Sequence, residues 1–392
     1  MFVIEKLYTL ELQTCSEETI ALRELPGGEG VAALPAKPGR AEWRAQRGAT
    51  PAVSGARPDI PANFLLLKKF PTMQKLTARP TLADIQTTHE AIQPMIHRTP
   101  VLTSQSLNRI TGSDLYFKCE NFQKIGAFKM RGASSAALRL TESERARGLA
   151  THSSGNHAQA VALSAKLLGV PAYIVMPDVS PAIKVAATKG YGAEVTFCEN
   201  SQVAREATLE EVVNRTGATF IHPYDDYHVI AGQATAAKEL IENTDGLDIV
   251  MAPIGGGGLM CGTALTTSYL LPNAEILGAE PIEVNDAWRS FTTGELQRNI
   301  TINTIADGLR TNLSAKTFDI IRHHVHDILT VDEATIIRAM RLTWERMKIV
   351  IEPSSAVPLA AVLTYPERFA GKKVGLILTG GNVDLEKLPW LG

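Results

Sequence analysis

No two cysteines in this sequence stand close enough to suggest a staple or a zinc knuckle. The four present, Cys15, Cys119, Cys198 and Cys261, are scattered over 392 residues without a C-x-x-C spacing. That argues against a disulfide framework and a zinc ribbon, and fits a reducing, cytoplasmic setting. Long apolar runs are missing too, so no segment is expected to cross a bilayer as a helix. Neither sign of charge dominates: the formal net charge is -2, and neither a nucleic-acid nor an anionic-membrane partner is expected. What is left is ordinary soluble-protein material, 45% hydrophobic and 20% charged. A chain of this length exceeds one simple core, which implies two domains or one large domain with an insertion.

Regularity is also lacking at the start. Between Leu22 and Pro61 the chain is rich in Ala, Pro, Gly and Arg and keeps no helical or strand period, the mark of a segment that stays unstructured. The opening MFVIEKLYTLELQ carries acids and has neither a signal-peptide nor a transit-peptide layout. Two readings of residues 1–72 stand: a genuine disordered extension, or a mis-assigned start upstream of Met73.

From Thr81 the pattern turns regular. The run 85–96 reads as a helix ending near Pro100. Strand-like stretches follow at 115–119, 172–176, 193–197, 248–253, 274–279 and 374–379, with helical stretches at 158–168 (capped by Gly169), up to Gly190, and at 259–270. Strands apolar on both faces and alternating with helices predict an α/β protein with mainly parallel sheets.

Five motifs carry chemistry. In the run 120–133, Lys129 lies between Phe128 and Met130. An apolar setting lowers a lysine pKa and equips it as a nucleophile or Schiff base, although a lysine at a helix start is ordinarily just solvated. Ser153-Ser154-Gly155-Asn156-His157 precedes a helix, where N–H groups and hydroxyls suit a carboxylate; a plain capping turn would look the same. Gly255-Gly256-Gly257-Gly258-Leu259 follows a strand and opens a helix, a phosphate cradle whose spacing is not that of a dinucleotide fingerprint. Thr379 ends the last strand, where a hydroxyl can meet a heterocycle nitrogen. Glu280, Glu283 and Asp286 form an acidic cluster able to hold a hard cation or to be merely a solvated loop. His323-His324-Val325-His326 lacks supporting ligands and reads as a polar connection.

Together, the words FKMRGA, SSGNHAQA, GGGGL, AEPIEVND, IADGLR, IEPSSAV and TGGNVDL resemble the fold-type II pyridoxal-phosphate family, in its threonine/serine dehydratase and serine racemase branch. The resemblance runs from about Thr81 to Leu388. It implies a tryptophan synthase β-like fold, with residues 73–147 and 226–392 as a large cofactor domain, residues 148–225 as a small one, and a homodimer. Pyridoxal 5'-phosphate would attach to Lys129, with Phe128 packed by its ring and Asn156 on its ring hydroxyl. Gly255, Gly256, Gly257, Gly258 and Leu259 would hold its phosphate, and Thr379 would face its pyridine nitrogen; relatives carry Ser or Cys there.

The same resemblance assigns the substrate side to Ser153, Ser154, Asn156, His157 and Arg205. It places Mg²⁺ (or Mn²⁺ or Ca²⁺) on Glu280, Asp286 and the Val284 carbonyl. Ser154 would act as a second proton-transfer group opposite Lys129, and Tyr191 matches a racemase-like position. The expected reaction is elimination of water from threonine or serine, giving a 2-oxo acid and ammonia. Serine racemisation and 3-hydroxyaspartate dehydration are the alternatives. Because the catalytic pattern runs nearly to Gly392, isoleucine feedback of the longer biosynthetic dehydratases is not expected.

Overall fold

A computed structural model of the chain describes Phe70 and residues 72–391, so the expectation for residues 1–72 lies almost wholly outside the described residues. Of that stretch, Phe70 packs against the core, Thr72 accepts a hydrogen bond from Arg145 at 2.7 Å, and the Met73 N–H that follows donates to the Leu138 carbonyl at 2.9 Å. No helix among these residues is long and apolar enough to cross a membrane. Cys119, Cys198 and Cys261 are buried and free.

Ten strands make two sheets among the described residues: β1 (Val101–Thr103), β2 (Asp114–Cys119), β3 (Leu149–His152), β4 (Ala172–Pro177), β5 (Glu194–Cys198), β6 (Thr219–Phe220), β7 (Ile249–Pro253), β8 (Glu275–Pro281), β9 (Asp327–Val331) and β10 (Lys373–Leu378). The larger sheet runs β1-β2-β10-β7-β8-β9 and the smaller β5-β4-β3-β6. Every pairing is parallel except β1 with β2. The order explains why the strands read as unbroken apolar runs. On β7, Ile249 and Met251 point into one core with Leu277, Leu376 and helices Glu333–Met347 and Pro353–Thr364. Val250 and Ala252 point into the opposite core with Ile276, Ile377 and helices Tyr227–Glu242 and Gly258–Leu270. Both faces are covered, so both must be apolar. The smaller sheet repeats the scheme: Leu149, Ile174 and Met176 face helix Asn156–Leu168, and Ala150 and Val175 face helix Gln202–Thr216.

The first predicted helix is shifted. It spans Leu82–Ile92, opened by a capping box in which Thr81 and Asp84 satisfy each other's backbone N–H groups. It gives way to a 3-10 turn at Gln93–Met95, because Pro94 has no N–H to continue the ladder. His323 and His324 end helix Ala315–His324, and His326 Nδ1 accepts from the Ile276 N–H at 3.0 Å, so this histidine run is structural.

Helix Lys129–Leu138 joins the two lobes. Met130, Ala133 and Ala137 belong to the core of the smaller sheet, while Gly132 lies against helix Tyr227–Glu242. A Cβ on Gly232 would come within 2.4 Å of the Arg131 carbonyl, and one on Gly132 within 2.3 Å of the Gln233 amide nitrogen; only glycine permits this approach. Behind the helix, fully buried Arg131 forks onto two carboxylates. Its Nε and one terminal nitrogen reach Glu120 at 2.7 and 2.8 Å, and its two terminal nitrogens reach Glu239 at 2.9 and 2.8 Å. Lys118 Nζ reaches Glu239 at 2.7 Å, His89 Nε2 lies 2.9 Å from it, and Thr99 donates to Glu120 at 2.5 Å. Burial alone would push Glu239 up, but the hydrogen bonds of His89 and Arg131 and the charges of Arg131 and Lys118 hold it well below the usual carboxylate range.

Candidate active site

The segment before Lys129 is held in an unusual shape. Ile125 has φ 60°, a left-handed conformation rare for a β-branched residue, and Gly126 follows at φ 70°. Three bonds tie this turn to the end of β10: Phe128 N–H to the Thr379 carbonyl at 2.9 Å, Gly381 N–H to the Gly126 carbonyl at 2.9 Å, and Asn382 Nδ2 to the Ile125 carbonyl at 2.7 Å. Two motifs some 250 residues apart in sequence are thereby locked together (Gly126 and Gly381 are the paired positions).

A cavity of about 680 Å³ opens between the lobes. Phe128, Lys129, Ser153, Ser154, Asn156, His157, Arg205, Gly255, Gly256, Gly257, Gly258, Leu259 and Thr379 all line it. Lys129 Nζ donates to the Pro223 carbonyl at 2.8 Å and lies 5.1 Å from the Phe128 ring centroid. Burial holds the Lys129 ammonium down, to about 8, against a smaller opposing pull from Glu352. A share of it is therefore a free amine near neutral pH.

The glycine loop is squeezed from outside. A Cβ on Gly256 would sit 2.4 Å from the Tyr224 ring, and Gly257, at φ 87°, turns the chain into helix Gly258–Leu270. None of the N–H groups of Gly255 through Leu259 finds a protein acceptor among the described residues. An N-terminal helix turn with free donors, in the same cavity as a desolvated lysine, fits a phosphorylated carbonyl cofactor. Thr379 Oγ1 lies 2.9 Å from Ser355 Oγ, which makes a neutral hydroxyl pair at this end.

On the facing wall, His157 is committed to the Ile221 carbonyl at 2.9 Å, and burial lowers its pKa to about 3. Arg205 bonds only the Asn200 side chain, at 2.8 Å, among the described residues; its buried Nε has no partner. Tyr191 does not line the cavity: it caps helix Ala182–Gly190 and packs against the core of the smaller sheet.

Several lining groups escaped the sequence reading. Glu352 accepts from Asn156 Nδ2 at 2.9 and 3.1 Å. His222 Nδ1 accepts the Tyr224 and Asp225 N–H groups at 3.2 and 2.8 Å, which leaves the proton on Nε2, and burial lowers its pKa to about 4. His152, Lys184 and Asp307 complete this side, with Lys184 paired to Asp307 at 2.9 Å. IEPSSAV and the histidines around Phe220 were visible as letters, but nothing in their spacing shows that they converge.

Glu280 and Asp286 lie outside this cavity. Both are fully buried, and neither forms an ion pair with a Lys, Arg or His among the described residues. Burial, and then the charge of Asp286, pushes Glu280 well up; burial raises Asp286 to about 6. No cluster of three or more His, Cys, Asp or Glu side chains suited to a metal exists among the described residues. Each of their carboxylate oxygens accepts a protein donor: the Ala287 and Trp288 N–H groups on Glu280 at 3.2 and 3.0 Å, and Asn299 Nδ2 and the Leu313 N–H on Asp286 at 2.8 Å each.

The model of the family described as pyridoxal-phosphate dependent enzyme matches residues 92–380. The chain belongs to this family. As a family member it is 51% identical over 311 residues to beta-hydroxyaspartate dehydratase of Paracoccus denitrificans, covering 79% of this chain and 99% of that protein. It is 47% identical to L-threo-3-hydroxyaspartate ammonia-lyase of Saccharomyces cerevisiae, over 80% of this chain and 96% of that one. Among solved structures, the serine racemase of Dictyostelium discoideum superposes with a TM-score of 0.75 at 47% identity, covering 79% of this chain and all of that one. The fold-type II architecture is thus that of the chain, and the family implies pyridoxal phosphate.

Proposed function

We propose that this enzyme is an ammonia-lyase for 3-hydroxyaspartate, with Lys129 as its cofactor lysine and catalytic base. The carrying observation is Arg205, a guanidinium that lines the cavity and forms no ion pair among the described residues. A threonine methyl or a serine hydrogen at Cβ would leave it unmatched, whereas a second carboxylate would pair with it. Two of the relatives above act on hydroxyaspartate by name, and this favours a dicarboxylic substrate over the threonine or serine first expected.

Bound pyridoxal phosphate would hold the substrate amine covalently and accept the electron pair left at Cα. Phe128, Asn156, the Gly255–Leu259 N–H groups and Thr379 would position it. The Ser153–Asn156 turn would receive the α-carboxylate, and Arg205 the other. Lys129 Nζ, oriented by the Pro223 carbonyl, would take the Cα proton. The Cβ–O bond would then break, and the proton taken by Lys129 would pass to the leaving hydroxyl, which departs as water. Hydrolysis of the released enamine gives a 2-oxo dicarboxylic acid and ammonia.

Ser154, in the same cavity, favours a second outcome: a hydroxyl there that returns a proton to Cα on the other face would racemise serine. Incubating the purified enzyme with 3-hydroxyaspartate, L-serine and L-threonine, while following keto acid, ammonia and D-serine, tests both readings. Keto acid forming fastest from hydroxyaspartate supports the proposal; keto acid from threonine alone sinks it.

Glu280, Asp286 and the Val284 carbonyl are proposed to hold Mg²⁺ (or Mn²⁺ or Ca²⁺) outside the catalytic cavity. A chelator is expected to lower the melting temperature and added Mg²⁺ to restore it. A melting temperature and activity both indifferent to chelation would remove the cation.

A further inference from the structure

Glu352 occupies the N-cap of helix Pro353–Thr364, yet its side chain makes no capping bond. The carboxylate instead crosses to the other lobe, where Asn156 Nδ2 lies 2.9 and 3.1 Å from its two oxygens. The residue is nearly fully buried and lines the cavity. Burial pushes its carboxyl up to about 7, aided by the charge of Asp307, while the Asn156 hydrogen bond and the charge of Lys184 draw it back.

An asparagine amide can flip, and here the surroundings forbid it. The Ile125 carbonyl takes one N–H of Asn382, at 2.7 Å; the same nitrogen donates to Asn156 Oδ1 at 2.8 Å. Asn382 thus sets which end of the Asn156 amide is oxygen, and Glu352, bonded to Nδ2, sets where the N–H groups of that nitrogen point. Asn156 itself lines the cavity, so an amide nitrogen anchored on Glu352 sits at the cavity wall.

We infer that Glu352 is a positioning residue that fixes the Asn156 amide as a hydrogen-bond donor toward the ring oxygen of the cofactor. The inference rests on the reading that Asn156 contacts that ring. A donor there favours the deprotonated ring oxygen, so losing it raises the pH at which the bound cofactor changes its visible absorbance.

Three variants and one double variant decide the matter. Glu352→Gln keeps an oxygen acceptor for Asn156, and Glu352→Met fills the volume without one. Two readouts are needed: the visible absorbance of the cofactor-loaded enzyme against pH, and the melting temperature of the cofactor-free protein. Asn156→Ala is expected to raise the absorbance midpoint by about one pH unit. Glu352→Met should raise it similarly, and Asn156→Ala with Glu352→Met no further, because both act through one contact. Glu352→Gln should stay near the wild-type midpoint. A merely structural Glu352 would lower the melting temperature and leave the midpoint alone.

A midpoint unmoved in Glu352→Met but moved in Asn156→Ala overturns the inference while sparing the ring contact. An unmoved midpoint in Asn156→Ala overturns the ring contact and the inference with it. Should Glu352→Met fail to fold, a Glu352→Gln shift as large as that of Asn156→Ala overturns it too.

Discussion

Helix Lys129–Leu138 carries two cationic side chains two residues apart that live in opposite conditions. Behind it, Arg131 is buried against Glu120 and Glu239 with every contact short and paired. In front, Lys129 is desolvated beside one carbonyl oxygen, and across the cavity neither Arg205 nor Glu352 forms an ion pair among the described residues. A satisfied buried charge holds structure; an unsatisfied one is held ready for a ligand. Sequence alone cannot make this distinction, since the letters K-M-R look equally charged.

Substitutions can break the contrast. Lys129→Ala is expected to lower turnover at least about 1,000-fold while leaving the cofactor-free fold intact. Stopped activity together with a collapsed melting temperature would put Lys129 among the structural charges. Arg131→Met leaves Glu120 and Glu239 buried without their partner and should destabilise the cofactor-free protein by about 3–5 kcal/mol in chemical denaturation. A loss under about 1 kcal/mol would mean that the cluster is dispensable. The smallest effect concerns pH. The Lys129 value in the fold, about 8, lies below the ordinary 10.5, so the unfolded chain binds more protons between these values. Stability of the cofactor-free wild type relative to Lys129→Met should therefore rise as pH climbs from 8 to 10.5; a flat difference across that window would show an ordinary, solvated lysine.

Much of the fold was legible because two-sided burial leaves a plain mark. β7 and β10 read as apolar runs since helices cover both faces. The short β1 and β6 left no such mark, being half exposed or only two residues long. The motif residues were legible as a set through resemblance, and the Ile125 turn and the Phe128–Thr379 bond are what bring them together. Glu352, His222 and Pro223 went unread because their roles come from tertiary approach: a carboxylate that leaves its own helix cap, a tautomer fixed by two backbone N–H groups, and a carbonyl that meets Lys129 from 94 residues away. No local period encodes such convergence.

Arg205 forms no ion pair among the described residues and supports the choice of substrate, so its removal is the decisive test. The measurement is kcat/KM for 3-hydroxyaspartate and for L-serine in wild type and Arg205→Ala. A hydroxyaspartate lyase that uses Arg205 should lose about 10–100-fold with hydroxyaspartate, the size of one charge-assisted pair, and change little with serine. Equal losses with both substrates, or none with hydroxyaspartate, would contradict it.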